Sequence, residues 1–189
     1  MKKFAVLLII LFVYGCAKQN EGTSGFRVGV SSHAINPNMG AFIAGDQNNR
    51  QFTSVHDSLY VKAVLVSDSK NVMVIVVFDC IGMLHPTLVE IRKEVAKRIP
   101  SSDFDPSNIV MTSTHTHSGP DVVGIWGPDQ MTSGVDAAYM KDIVQKTANA
   151  IEEAWKNQKD AKAVYAETQF GEDWVFNISD SLSLDRTLT

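Results

Sequence analysis

The segment "NVMVIVVFD", residues 71–79, decides the fold class. In an extended chain Val72, Val74, Val76 and Phe78 share one face, and Met73, Ile75 and Val77 share the other. Both faces are apolar, which predicts a central strand covered on each side, as in α/β sheets. Upstream, "LYVKAVLVS" (59–67) reads as a second strand, and the short polar Asp68-Ser69-Lys70 between the two suits a hairpin. Downstream, "HPTLVEIRKEVAKRIP" (85–100) sets Leu88, Ile91, Val95 and Ile99 three or four apart, the stripe of an amphipathic helix. Pro86 fits its first turn and Pro100 ends it. After the loop "SSDFDPS" comes "NIVMTST" (108–114), a strand again. Strand, helix, strand is a βαβ unit with two parallel strands and a right-handed crossover.

The rest of the chain extends this unit. "FRVGVSS" opens the domain as a strand with Phe26, Val28 and Val30 alternating. "AINPNMGAFIAGDQNN" is rich in Gly, Asn and Pro and reads as an irregular loop. "VDAAYMKDIVQKTANAIEEAWKN" (135–157) is the longest helix, with Tyr139, Ile143, Ala150 and Ala154 turned inward. "AKAVYAETQF" (161–170) reads as one more strand. The expected class is therefore α/β: a mixed sheet with at least one right-handed βαβ unit and flanking helices.

At 189 residues and a net charge of −4, the chain is long enough for one domain with its own core. Lys and Arg are scattered, so no nucleic-acid surface is expected. The start of the chain is separate. "MKKFAVLLIILFVYGC" places two lysines before an apolar run that is shorter than the roughly 20 residues a membrane helix needs, the pattern of an export signal over residues 1–15. Val13-Tyr14-Gly15-Cys16 resembles a bacterial lipobox, in which Cys16 becomes the lipid-attachment site. Residues 16–25 then form a tether, with the domain proper at 26–189. A lipid-anchored protein of the bacterial cell envelope, facing the outer membrane or the periplasm, is the expected location. Acylation of Cys16 leaves Cys80 as the other of two cysteines, so the fold is expected to hold without a disulfide. Cys80, beside an apolar strand, reads as a small buried hydrophobe.

The chemistry gathers in "IVMTSTHTHSGPD", residues 109–121. Ligands of parallel sheets collect beyond the carboxyl ends of the strands. Asp79 closes one of the two parallel strands and His115 the other. Residues two apart in extended chain point the same way, which puts His115 and His117 on one face. Two neutral imidazoles with a carboxylate nearby suit a divalent transition metal, most often zinc. Asp79 is then either a ligand or the group that orients a ligating imidazole. His33, His56 and His85 lie singly near loops, where surface or core roles are expected.

"STHTHSGPD", preceded by "VGVSSHAINP", "HDSLYVKAVLVSD" and "VVFDCIGM", resembles the N-terminal part of the neutral/alkaline non-lysosomal ceramidases. The resemblance covers roughly residues 27–165, in the family's order. It implies a zinc-dependent amidase that cleaves the N-acyl bond of ceramide-like lipids. By motif position, His115 would be a zinc ligand. His117 would lie beside the metal as a catalytic group that positions or stabilises the oxyanion. The family's remaining ligands, a second histidine, a glutamate and a tyrosine, lie farther along a longer chain. No histidine follows His117 here. The resemblance therefore implies a partial catalytic domain and a truncated form. The alternative is a surface lipoprotein that keeps the scaffold as a binding module without catalysis.

Two other metal-hydrolase patterns fit less well. Amidohydrolase-type barrels need about 250 residues for eight βα units. Metallo-β-lactamase-type sites want Asp and His at the fourth and fifth positions after the first histidine, where this chain has Gly119 and Pro120.

Overall fold

The computed structural model describes residues 25–68, 70–100, 102–171 and 187–188. The expected signal, lipobox and most of the tether fall outside the described residues. Five strands form the main sheet: β1 (Arg27–Ala34), β2 (Tyr60–Ser67), β3 (Val72–Phe78), β4 (Ile109–Ser113) and β5 (Lys159–Asp160). Two helices join them, α1 (His85–Arg98) and α2 (Ala137–Lys156). The order across the sheet is β4-β3-β2-β1-β5, with β3 and β4 parallel and the other neighbours antiparallel. A mixed α/β sheet with a β3–α1–β4 crossover is what the periodicity predicts.

Local chemistry accounts for the boundaries. The β2–β3 hairpin is closed by Asp68, whose Oδ1 accepts from the backbone N–H groups of Lys70 and Asn71 at 2.7 and 2.6 Å. Those bonds favour the carboxylate and lower its pKa. Helix α1 starts on a proline in its first turn. Helix α2 is capped by Asp136, whose side chain accepts from the N–H groups of Ala138 and Tyr139.

Both helices lie on the same side of the sheet. Ile91 and Val95 of α1, with Ile143, Ala150, Ile151 and Ala154 of α2, pack on Val61, Ala63, Leu65, Val74, Val76 and Phe78. All of these are at most 1 % exposed. Gly29 permits the closest approach, since a β-carbon there would stand 1.8 Å from the Ala154 carbonyl oxygen. Tyr139 and Ile35 join α2 to the end of β1 through a buried hydroxyl-to-carbonyl bond of 2.5 Å. Burial pushes the Tyr139 hydroxyl far above its ordinary pKa.

Two expectations need correction. The first is cover on both faces of β3. Among the described residues only one face is covered: Met73 is 42 % and Ile75 37 % exposed, and the register partners of Ile75, Val64 and Val110, are exposed as well. Apolarity of a strand shows that both faces are suited to burial, but it does not supply the second layer. The other is the strand over 161–170. Only Lys159–Asp160 pairs with β1, and a two-residue strand, β6 (Thr168–Gln169), pairs with β7 (Thr187–Leu188). The segment between leaves the sheet, with Val164 93 % exposed. Alternation there is real, but β1 presents it no edge beyond the Ala161 N–H bond to Phe26.

Candidate metal centre

The parallel pairing carries Asp79 and the histidine turn to one edge. Phe78 stands beside Ser113 in register, and the Thr114 N–H donates to the Phe78 carbonyl at 2.9 Å. Strand β4 ends at Ser113, so the histidines lie in the loop beyond it. His115 has a φ of 61°, left-handed backbone that a non-glycine residue rarely adopts. The two rings meet edge to face with centroids 5.3 Å apart. They do come together, but strand pleating is not the cause. The left-handed residue turns the chain so that the second ring folds against the first.

The His115 ring is oriented by a backbone carbonyl. Its Nδ1 lies 2.6 Å from the Ile81 carbonyl oxygen, an acceptor, so Nδ1 carries the proton. That leaves Nε2 with its lone pair at an exposed position. The carbonyl comes from the turn after β3, so the crossover fixes the tautomer of a side chain in the loop after β4.

His117 is held differently. Its Nδ1 lies 3.6 Å from Asp46 Oδ1, an electrostatic contact too long for a hydrogen bond. Asp46 also pairs with Arg50. The ring lies over Gly45, whose φ is 109° and where a β-carbon would stand 2.3 Å from His117 Cγ. Gly45→Ala therefore meets both a steric and a backbone penalty, and His117 must move. The expected result is a shift of the His117 ring resonances in NMR, with those of His115 nearly unchanged.

The loop that brings Asp46 is joined to the histidine turn by backbone bonds. The Ala44 N–H donates to Gly119 O at 3.0 Å, and the Asp121 N–H to Phe42 O at 2.8 Å. Asp121, 1 % exposed, closes the arrangement. Its Oδ1 accepts from the N–H groups of Val123 and Gly124, and its Oδ2 from those of Trp126 and Gly134, at 2.8–3.1 Å. Four backbone donors on one buried carboxylate organise residues 121–134 around the turn.

Asp79 is placed at the edge but is turned to the backbone. Its Oδ2 accepts from the Tyr60 N–H at 2.9 Å, while its own N–H donates to Tyr60 O at 2.9 Å. It extends the β2–β3 ladder by one pair. Cys80 is fully buried, with its Sγ near Gly82 O and Ser113 Oγ, and burial raises the thiol pKa. Among the remaining histidines, His33 pairs with Glu153 at 3.0 Å and His56 with Asp57 at 2.9 Å, the latter two fully out in solvent. Thr116 and Ser118, which alternate with the histidines, line a cavity of about 430 Å³ together with Asn36, Phe52, Val55 and Leu59.

Sequence reading missed Gly45, Asp46 and Asp121. The G-D pair in a loop and an Asp after Gly-Pro are too common to single out, and only the fold places them against the turn. Among the described residues no three His, Cys, Asp or Glu side chains converge as a metal would require. The donor set fits one prepared imidazole with a second beside it, and is short of the four ligands that zinc takes.

The family sequence model described as neutral/alkaline non-lysosomal ceramidase, N-terminal, matches residues 26–179. No curated protein sequence matches the chain. Solved ceramidase structures share the fold. The neutral ceramidase from Pseudomonas aeruginosa superposes with a TM-score of 0.66 at 18 % identity, over 77 % of this chain and 24 % of that one. A ceramidase complexed with C2 gives 0.64 at 19 % identity, over 77 % and 23 %. The chain thus spans about a quarter of the length of the solved structures it matches. With most of its length matched by the family's N-terminal model, the chain belongs to the neutral/alkaline non-lysosomal ceramidases.

Proposed function

We propose that the chain carries the first part of the metal site of a zinc-dependent amidase acting on the N-acyl bond of ceramide-like lipids. The observation that supports this most is the His115 imidazole, whose Nδ1 is committed to the Ile81 carbonyl, so that Nε2 is the remaining ring nitrogen of an exposed residue. In this reading His115 holds the metal and His117 stands beside it. Zinc, when bound, polarises an amide carbonyl and acidifies water. In this reading His117, whose Nδ1 lies 3.6 Å from Asp46 Oδ1, positions or stabilises the oxyanion. The neighbouring cavity is mixed, with Pro37, Phe52, Val55 and Leu59 as its apolar wall and Asn36, Ser54, His56, Asp57, Ser58, Thr116 and Ser118 as hydrogen-bonding groups, a lining that offers a lipid amide contacts for both its chain and its polar head.

Zinc titration of the purified chain tests the reading. Weak binding is expected, because the ligand set is incomplete and water must fill it. The 189-residue chain alone is expected to show little ceramide hydrolysis, with activity appearing when the rest of a ceramidase is supplied. Absence of zinc binding in both settings would sink the metalloenzyme reading.

The lipobox-like "VYGC" supports export and anchoring through Cys16 in the cell envelope, near a lipid substrate. Cys16→Ser should move the protein from the membrane to the soluble fraction. A wild type that is already soluble with an intact N-terminus overturns the anchor.

A further inference from the structure

The loop that carries Asp46 past His117 is tied down along its length. The Ala44 N–H donates to Gly119 O at 3.0 Å, within the histidine turn. The Trp126 indole N–H donates to the carbonyl oxygen of Asp46 itself at 3.3 Å. Asn48 Nδ2 donates to the Ile125 and Asp129 carbonyls at 3.1 and 3.2 Å, and the Asn49 N–H to Gly127 O at 2.7 Å. Two left-handed residues, Gly45 at a φ of 109° and Asn49 at 61°, give the loop the curvature that these bonds need.

The carboxylate in the middle of this loop is shared between two cations or near-cations. Oδ2 accepts from the Arg50 guanidinium, and Oδ1 lies 3.6 Å from His117 Nδ1. All three side chains are about half exposed, so these pairs add little to stability. Their effect is on direction. Arg50 occupies one oxygen and leaves the other to the imidazole, and Gly45, without a β-carbon, lets the ring lie against the loop. Contacts of this kind are often long before a ligand binds and tighten afterwards. The two histidines therefore meet different partners: His115 Nδ1 an uncharged backbone carbonyl, His117 Nδ1 a carboxylate.

We propose that Asp46 is the positioning residue of His117: its Oδ1 draws the ring proton to Nδ1 and leaves the lone pair on Nε2, while Arg50 holds the carboxylate in place. Nε2 can then take a proton and present the resulting N–H to the oxyanion, with Asp46 offsetting the charge on the ring. Asp46 acts through His117 and does not touch the reacting atoms. Its use in catalysis rests on the reading of His117 as the group beside the metal, whereas the tautomer does not.

The test is the tautomer itself. Long-range proton–nitrogen NMR spectra of the isotope-labelled chain carrying Cys16→Ser, taken in EDTA at alkaline pH, distinguish an N–H ring nitrogen from one with a lone pair. Nδ1–H is expected at both His115 and His117. Asp46→Asn should invert His117 alone: Arg50 claims the amide oxygen, the amide NH₂ then faces Nδ1, and the ring proton moves to Nε2. Arg50→Ala keeps the carboxylate, so His117 should keep Nδ1–H. His115 should stay unchanged throughout, because its partner is the Ile81 backbone. Nε2–H at His117 in the wild-type residue 46 and 50 background overturns the proposal, as does a His117 signal that Asp46→Asn leaves unmoved. Inversion of His117 by Arg50→Ala overturns it in favour of the loop conformation as the cause. The spectrum without either loop substitution decides even if a variant fails to fold. With EDTA present no outcome depends on zinc, so the metal reading stands or falls on its own titration.

Discussion

His115→Ala should lower the zinc affinity of the chain by about 100-fold or more, since even the loss of an outer partner of a ligand costs 10–100-fold. In a ceramidase chain completed by its remaining ligands, ceramide hydrolysis should fall by about 10³-fold, because the metal contributes several kcal/mol to the transition state. The left-handed backbone at position 115 makes a second variant informative. Alanine there keeps the strain that any β-carbon brings to left-handed backbone and loses the Ile81 bond, worth about 1 kcal/mol. His115→Asn suits that conformation far better and should recover most of the stability, but none of the zinc affinity. Isothermal titration with zinc beside thermal melts separates the two. Recovery of zinc binding by Asn would remove His115 from the ligand set. His117→Ala should reduce affinity less than His115→Ala does, because its ring stands next to the metal in this reading.

Asp121→Ala should destabilise the domain by about 3–5 kcal/mol, the largest expected loss from a single side chain near the site. The carboxylate is 1 % exposed and accepts four backbone N–H groups. Each buried donor left unpaired costs about 1–3 kcal/mol, partly relieved where water enters. At about 2–4 °C per kcal/mol for a chain of this size, the melting temperature should drop by roughly 10 °C. Asp121→Asn should recover little, because its amide nitrogen presents donors to two of the four donors. Urea unfolding measures the loss. A change below about 1 kcal/mol would mean that the loop 121–134 finds other acceptors. The same variants should weaken zinc binding, since Asp121 also joins the histidine turn to the Asp46 loop.

The strands and helices were legible because their signals are local. Alternation in "FRVGVSS" and "LYVKAVLVS" and the three-or-four spacing in 88–99 each describe a face within one element. The same local signal misled at 161–170, where a strand needs a partner edge that β1 supplies for two residues only. It also predicted a second cover over Met73 and Ile75, which the described residues do not provide.

The site divides in the same way. By itself the sequence determined that two imidazoles stand at the end of a strand beside an Asp-ended parallel neighbour, because the βαβ pattern joins those two ends. The tertiary structure alone decided which partners they meet. Asp79 bonds to the Tyr60 backbone, while Asp46, about 70 residues before His117 in the chain, faces its ring. The tautomer of His115 depends on the carbonyl of Ile81, across the crossover. Periodicity reports what a residue's chain neighbours impose, within a turn or a pleat. A hydrogen bond or ring contact between distant segments depends on how elements pack, and no local pattern records that.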